Sequence, residues 1–145
     1  MSLHHPVFGT SLRAAVITIC AVAIALLSAS GASAVSCYGD YCSGKDPLAT
    51  GCADDAKTIA SARLPGVEQT LELRWSDKCQ TNWARILYDP NPTWIKAIQK
   101  PGNYTQGFAG HSADNAWSRM IYSPKKCVYA TVQTRSWGKF VTSCL

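Results

Sequence analysis

Beyond residue 56 the chain alternates between apolar and polar positions. Residues 70–75 put Leu71, Leu73 and Trp75 on one side and Thr70, Glu72 and Arg74 on the other. A two-residue period is the mark of a half-buried strand. Residues 128–135 repeat it, with Val128, Ala130 and Val132 opposite Tyr129, Thr131 and Gln133. Shorter strands are predicted at residues 57–64, 83–88, 94–100, 119–122 and 139–143. The alanine-rich stretch 54–63 also admits a helical turn. Breaks fall between these runs. Asp89-Pro90-Asn91-Pro92 lacks two backbone donors and fixes two φ angles. Pro101-Gly102-Asn103 signals a turn, and residues 106–115, rich in glycine and small polar side chains, read as the longest loop. No helical periodicity persists beyond a few turns. The pattern predicts an all-β domain, a small barrel or sandwich. Residues 37–52, dense in Gly, Asp, Ser and Cys, form a turn-rich segment strapped across it.

The start of the chain follows a different rule. Arg13 and His4-His5 accompany an apolar stretch over residues 14–27, and small residues run to Ala34. A basic start, a short apolar segment and an A-x-A-like end is an export signal. The apolar stretch is shorter than the roughly 20 residues that cross a bilayer. The expected division is a signal peptide at 1–34, cleaved after Ala34, and one secreted domain at 35–145, with no transmembrane segment after cleavage. Ala34-Val35-Ser36-Cys37 loosely resembles a lipoprotein box, with Ala where Leu is usual. Cysteine counting opposes that reading. Losing Cys20 with the signal leaves Cys37, Cys42, Cys52, Cys79, Cys127 and Cys144. That even set suits disulfides in an oxidising compartment, whereas lipidating Cys37 strands one thiol.

Two blocks of residues carry a family resemblance. The first is Gly44-Lys45-Asp46-Pro47 with Thr50-Gly51-Cys52-Ala53. The second is Glu72-Leu73-Arg74-Trp75-Ser76, continuing through Cys79 to Trp83-Ala84-Arg85. Over residues 37–86 the chain resembles a family of small secreted proteins of Gram-positive bacteria, mainly actinomycetes, classed as a domain of unknown function. Trp75 stands where the family often has Tyr, and Asp77 where it often has Pro. Beyond Tyr88 the likeness is poor. The resemblance implies a secreted, β-rich domain and brings no established activity and no catalytic residue. Relatives lacking the first two cysteines while keeping those at Cys52 and Cys79 imply the pairing Cys37–Cys42 and Cys52–Cys79. That leaves Cys127–Cys144 to clamp the last strand to its neighbour.

Charge and candidate chemistry narrow the function classes. The chain carries 14 lysines and arginines against 9 acids. Apart from Lys125-Lys126 the basic residues are scattered, so no nucleic-acid partner is expected. The cysteines lack a close C-x-x-C pair and a nearby His, which favours disulfides over zinc, and neither metal nor cofactor is expected. Asp40, Asp46, Asp54 and Asp55 match no calcium loop. Their expected work is turn formation and capping, with Asp46 free to pair with Lys45 or Arg74. Glu72 and Arg74 are expected to form a surface ion pair worth about 0–1 kcal/mol.

His111 is the only histidine after the signal, beside Ser112 and near Asp114. A triad needs a nucleophile, a base and an orienting acid that converge, and no G-x-S-x-G elbow marks a nucleophile. No catalytic residue is assigned. The five tryptophans are the stronger signal. Trp75 and Trp83 read as core. Trp94 follows a proline turn, Trp117 ends the predicted long loop and Trp137 precedes Gly138 in a hairpin turn. Turn-borne rings stack on sugars or anchor a protein partner. The sequence therefore points to a secreted non-catalytic binding module for an extracellular protein or a cell-wall or surface glycan. Trp94, Trp117, Trp137 and His111 are its candidate contacts. A small extracellular hydrolase or enzyme inhibitor is the alternative.

Overall fold

The computed structural model describes residues 34–145. The export-signal reading and Cys20 fall on residues outside the described ones. After a 3-10 turn at Gly39–Cys42 come β1 (Lys57–Arg63), β2 (Thr70–Ser76), β3 (Thr81–Leu87), β4 (Trp94–Lys100) and β5 (Thr105–Gln106). These are followed by β6 (Phe108–His111), β7 (Asn115–Ser118), β8 (Ile121–Tyr122), β9 (Cys127–Gln133) and β10 (Lys139–Val141). A first sheet runs β1-β2-β3-β7-β6, with β8 also pairing β3, and a second runs β10-β9-β4-β5. All pairings are antiparallel. The fold is an all-β, sandwich-like pair of sheets.

Alternation explains the packing between the sheets. Leu71, Leu73, Ala84, Ile86 and Ala116 of the first sheet share one core with Ile95, Ala97, Val128, Ala130, Val132 and Phe140 of the second. Each sits every second residue along its strand, so all point to one face. The alternatives left open at residues 54–63 resolve in favour of a strand, because β1 takes Lys57 to Arg63 into register with β2.

Residues 106–115 do not form the long loop that their composition suggests. They supply the end of β5, all of β6 and the first residue of β7, and β6 pairs with β7 through a bulge between Phe108 and Gly110. Glycine serves close approach here rather than a turn. A Cβ on Gly110 would lie 3.0 Å from the indole of its cross-strand partner Trp117, and only a missing side chain admits that ring.

A second apolar cluster lies on the opposite face of the first sheet. The register places Trp83 opposite Arg74 and Trp117 opposite Arg85, away from Leu73 and Ile86. Cys37, Cys42, Cys52, Cys79 and Met120 pack against these two rings. The cysteine-rich segment is thus a lid. Gly39 N–H donates to the Cys79 carbonyl, Gly44 N–H to that of Met120, and Met120 N–H to that of Lys45, at 2.9–3.0 Å. The disulfides are Cys37–Cys42, Cys52–Cys79 and Cys127–Cys144, the pairing that the family resemblance implied. The first closes the lid on itself, the second ties it to the β2–β3 turn, and the third joins the start of β9 to the residues after β10.

Candidate functional site

Three connections, the β3–β4 loop, the β5–β6 link at Gly107 and the β9–β10 turn, meet at one end of the sandwich. In the β3–β4 loop, Asn91 N–H donates to Asp89 Oδ1 at 3.1 Å, the local bond that makes an Asx turn. In the β9–β10 turn, the Thr134 hydroxyl donates to the Gly138 carbonyl at 3.0 Å and accepts the Trp137 N–H at 2.9 Å. Gly138 takes φ +86° there, a value that disfavours any side chain. Trp137 therefore rides on an ordered turn. Arg135 Nε donates to the Asn91 carbonyl at 3.0 Å and joins the two connections.

Two adjoining pockets flank that bond. One, of about 300 Å³, is lined by Pro92, Trp94, Lys96 and Phe108. The other, of about 230 Å³, is lined by Gln69, Tyr88, Ser136 and Trp137. Pro90, Asn91 and Arg135 belong to both. Tyr88 is 59% exposed, Trp137 50% and Phe108 46%. Open rings grouped around a groove with a polar rim mark an interaction surface. The groove offers apolar ring faces, the Arg135 guanidinium, the Lys96 ammonium and the Asp89 carboxylate on a proline-stiffened loop, a recognition surface that orders few new torsions on binding.

The four candidate contacts separate. Trp94 and Trp137 both reach this groove, on either side of Arg135. The ring of Trp94 is half-buried and carries the Lys96 ammonium 5.0 Å from its centroid. His111 sits next to the groove, its ring stacked on Phe108 at 6.3 Å. Its Nδ1 lies 3.3 Å from the Ser112 carbonyl, while the Ser112 hydroxyl accepts the Asn115 N–H.

Trp117 is elsewhere, and the expectation that it stands at a loop end is corrected. It lies within β7, 8% exposed beneath the lid. Its Nε1 donates to Asp46 Oδ1 at 3.1 Å, and the same oxygen accepts the Leu48 N–H. Asp46 thus anchors an indole and a turn, and not Lys45 or Arg74. Phe108, Tyr88 and Arg135 were not singled out by the sequence. Phe108 was hidden in the glycine-rich stretch, and the one available signal was that Tyr88 and Arg135 each border a predicted break.

Two further expectations change with burial. Glu72 is no surface residue. Its Oε2 takes Arg85 Nε and Nη2, each at 2.6 Å, and its Oε1 takes the Thr58 hydroxyl at 2.9 Å. Arg74 is the more distant partner at 3.9 Å and donates to the Ala56 carbonyl at 2.6 Å. Burial pushes the Arg74 guanidinium below its ordinary pKa. Arg85 adds to that and Glu72 opposes it. Trp75, read as core, is half-buried, and its Nε1 donates to Asp77 Oδ1 at 2.6 Å. Lys57 donates to Asp77 Oδ2 at 2.7 Å. These bonds, that of Lys57 first, hold the Asp77 carboxyl below the ordinary range.

No helix among the described residues is long and apolar enough to cross a membrane. The family model described as "Protein of unknown function (DUF2690)" matches residues 40–131, and the chain belongs to that family. The match runs past Tyr88 into β9, beyond the two blocks that carry the resemblance. No curated protein and no solved structure matches the chain.

Proposed function

We propose that this chain is an exported, non-catalytic binding module that holds its ligand in the aromatic groove around Arg135. One observation carries the reading. Three open rings, Tyr88, Phe108 and Trp137, converge on two adjoining pockets whose loops are tied by the Arg135–Asn91 bond. Prebuilt grooves with aromatic walls and a few placed polar groups are where ligands usually bind. Three disulfides support an oxidising, extracellular place of work. The ligand classes that fit are a surface glycan, whose sugar faces stack on the rings, and an extracellular protein segment.

The test compares the oxidised domain 35–145 with its Trp137→Ala and Phe108→Ala variants in binding to a cell-wall fraction and to immobilised glycans. The expected result is loss of binding by both, with thermal stability within about 0.5 kcal/mol of the parent for Trp137→Ala, a surface change. Unchanged binding by both variants would remove the groove from consideration. Export has its own check. The processed protein is expected to begin at Val35 and to show no free thiol by mass spectrometry.

A further inference from the structure

Three of the lysines that look scattered along the chain share one face of the second sheet. Ile95 and Ala97 point into the core, so Trp94, Lys96, Ile98 and Lys100 alternate to the other side of β4. The register sets Lys139 beside Gln133 and Gln133 beside Trp94. It also sets Val141 beside Thr131 and Thr131 beside Lys96. Lys96, Lys100 and Lys139 therefore share the open face. At about 3.3 Å per residue and about 4.8 Å per strand, Lys96 is about 12–13 Å from each of the other two. Lys100 and Lys139 are exposed and Lys96 half-buried.

No carboxylate among the described residues pairs with them, and the nearest acid of the adjoining groove is Asp89 in the β3–β4 loop. β4, β5, β9 and β10 contain no Asp or Glu, and the ion pairs among the described residues use Lys57, Arg74 and Arg85 instead. After Tyr88 the chain has two acids, Asp89 and Asp114, against seven lysines and arginines. Two rings hold the ammonium groups in place, Trp94 beneath Lys96 at 5.0 Å and Tyr129 beneath Lys100 at 4.9 Å. Cation–π contacts of this kind are worth about 0.5–1 kcal/mol at exposed sites. At its Trp94 edge the face runs into the aromatic groove, since Trp94 and Lys96 line both.

We infer that this face binds an extended acidic polysaccharide. Its carboxylates or phosphates meet Lys96, Lys100 and Lys139, while its sugar rings stack in the groove beside Trp94. The inference rests on the binding-module reading and names its ligand class. Three observations favour a glycan over nucleic acid. A four-stranded sheet face is wider than the two-stranded ribbon that a major groove admits. The rings on the face lie under ammonium groups, so they are not free to stack on bases as single strands require. Three open rings, Tyr88, Phe108 and Trp137, line the adjoining groove.

The experiment uses the oxidised domain 35–145 and three probes: polygalacturonate, its fully methyl-esterified form, and duplex DNA. The esterified chain has the same sugars without the charge. Polygalacturonate is expected to bind about tenfold or more tightly than the ester, with affinity falling as salt rises. Combined Lys96→Gln, Lys100→Gln and Lys139→Gln is expected to erase that preference, and Lys78→Gln, in the β2–β3 turn, to keep it. Circular dichroism of each variant checks the fold. A single Lys100→Gln, at an exposed strand end, gives a partial loss should the triple variant misfold.

Equal binding of both chains, full binding by a folded triple variant, no binding of polygalacturonate, or tighter binding of duplex DNA would each overturn the inference. Equal binding of both chains that Trp137→Ala abolishes leaves the groove reading standing while the charged face falls. Loss of neither chain with Trp137→Ala and Phe108→Ala removes the groove reading instead.

Discussion

The outer faces of the two sheets begin from the same pattern and end differently. On the first sheet the polar side of β2 and β3 carries Glu72, Arg74 and Arg85. On the second, the polar side of β4 and β10 carries Lys96, Lys100 and Lys139. On the first, where the cysteine-rich lid covers Trp83 and Trp117, Glu72 is buried, Arg74 and Arg85 are half-buried beside it, and the cluster is paired and bonded to Thr58 and Ala56. The second has no roof, and its charges remain in water over two aromatic rings. A charged residue in an alternating strand is a solvent residue only where nothing packs above it. Burial turns such residues into structural groups that are costly to change. Exposure leaves them free for a ligand.

The sharpest way to break the comparison is to treat two tryptophans alike. Trp117→Ala, under the lid, is expected to cost about 3–5 kcal/mol, as a buried aromatic does, whereas Trp137→Ala at the groove leaves stability nearly unchanged. Urea unfolding of the two variants decides it, and equal midpoints would show that the lid does not seal Trp117. Next in size is the lid's own tether. Replacing Cys52 and Cys79 together by Ser is expected to cost about 2–4 kcal/mol, since the bond closes a separation of 27 residues. Fluorescence of Trp83 and Trp117 should then shift toward that of indole in water. If the spectrum stays unshifted, packing alone holds the lid.

A smaller effect is expected at the buried ion cluster. Glu72→Gln leaves Arg85 without its charge partner. The glutamate side chain is 11% exposed and that of Arg85 31%, so water screens part of the loss. The expected cost is about 2–3 kcal/mol, below that of a fully buried pair. The matching Lys139→Gln on the open face should change stability by no more than about 0.5 kcal/mol. Similar costs at both positions would dissolve the distinction between the faces.

The smallest effect concerns Asp77. Its folded-state pKa is lowered by Lys57 and Trp75, so the stability it contributes is present above the ordinary Asp range. That contribution is lost as pH falls through the lowered value. Asp77→Asn should flatten this acid limb of the stability curve and leave the difference from the parent constant above it. An unchanged slope would show that the Lys57–Asp77 bond is not held in solution.

Much of this molecule was legible in the residues, for local reasons. The alternation over 70–75 and 128–135 became β2 and β9, since a two-residue period states which side chains share a face. Asp89-Pro90-Asn91-Pro92 and Trp137-Gly138 became the connections they signal, because proline and glycine act on their own backbone. Trp94 and Trp137 were picked out for the same reason, and the structure brings them to one groove. Most of the misreadings depend on partners in other strands or loops. Gly110 suggested a loop but makes room for Trp117, seven residues on in the next strand. Asp46, expected to pair with Lys45 or Arg74, instead serves that same indole. Phe108, Tyr88 and Arg135 gain meaning only when three connections from separate parts of the chain converge.

Periodicity, turn residues and an even set of cysteines were enough to establish an all-β, disulfide-held domain, because each acts within a few residues or through the covalent chain. Which polar face is covered, which tryptophan reaches water and which lysines become neighbours were settled by packing. Alternation sorts side chains onto two sides of a strand but cannot say what lies over either side. The lid lies over one polar face because Cys52 pairs with Cys79, 27 residues away, and no segment among the described residues does the same for the other.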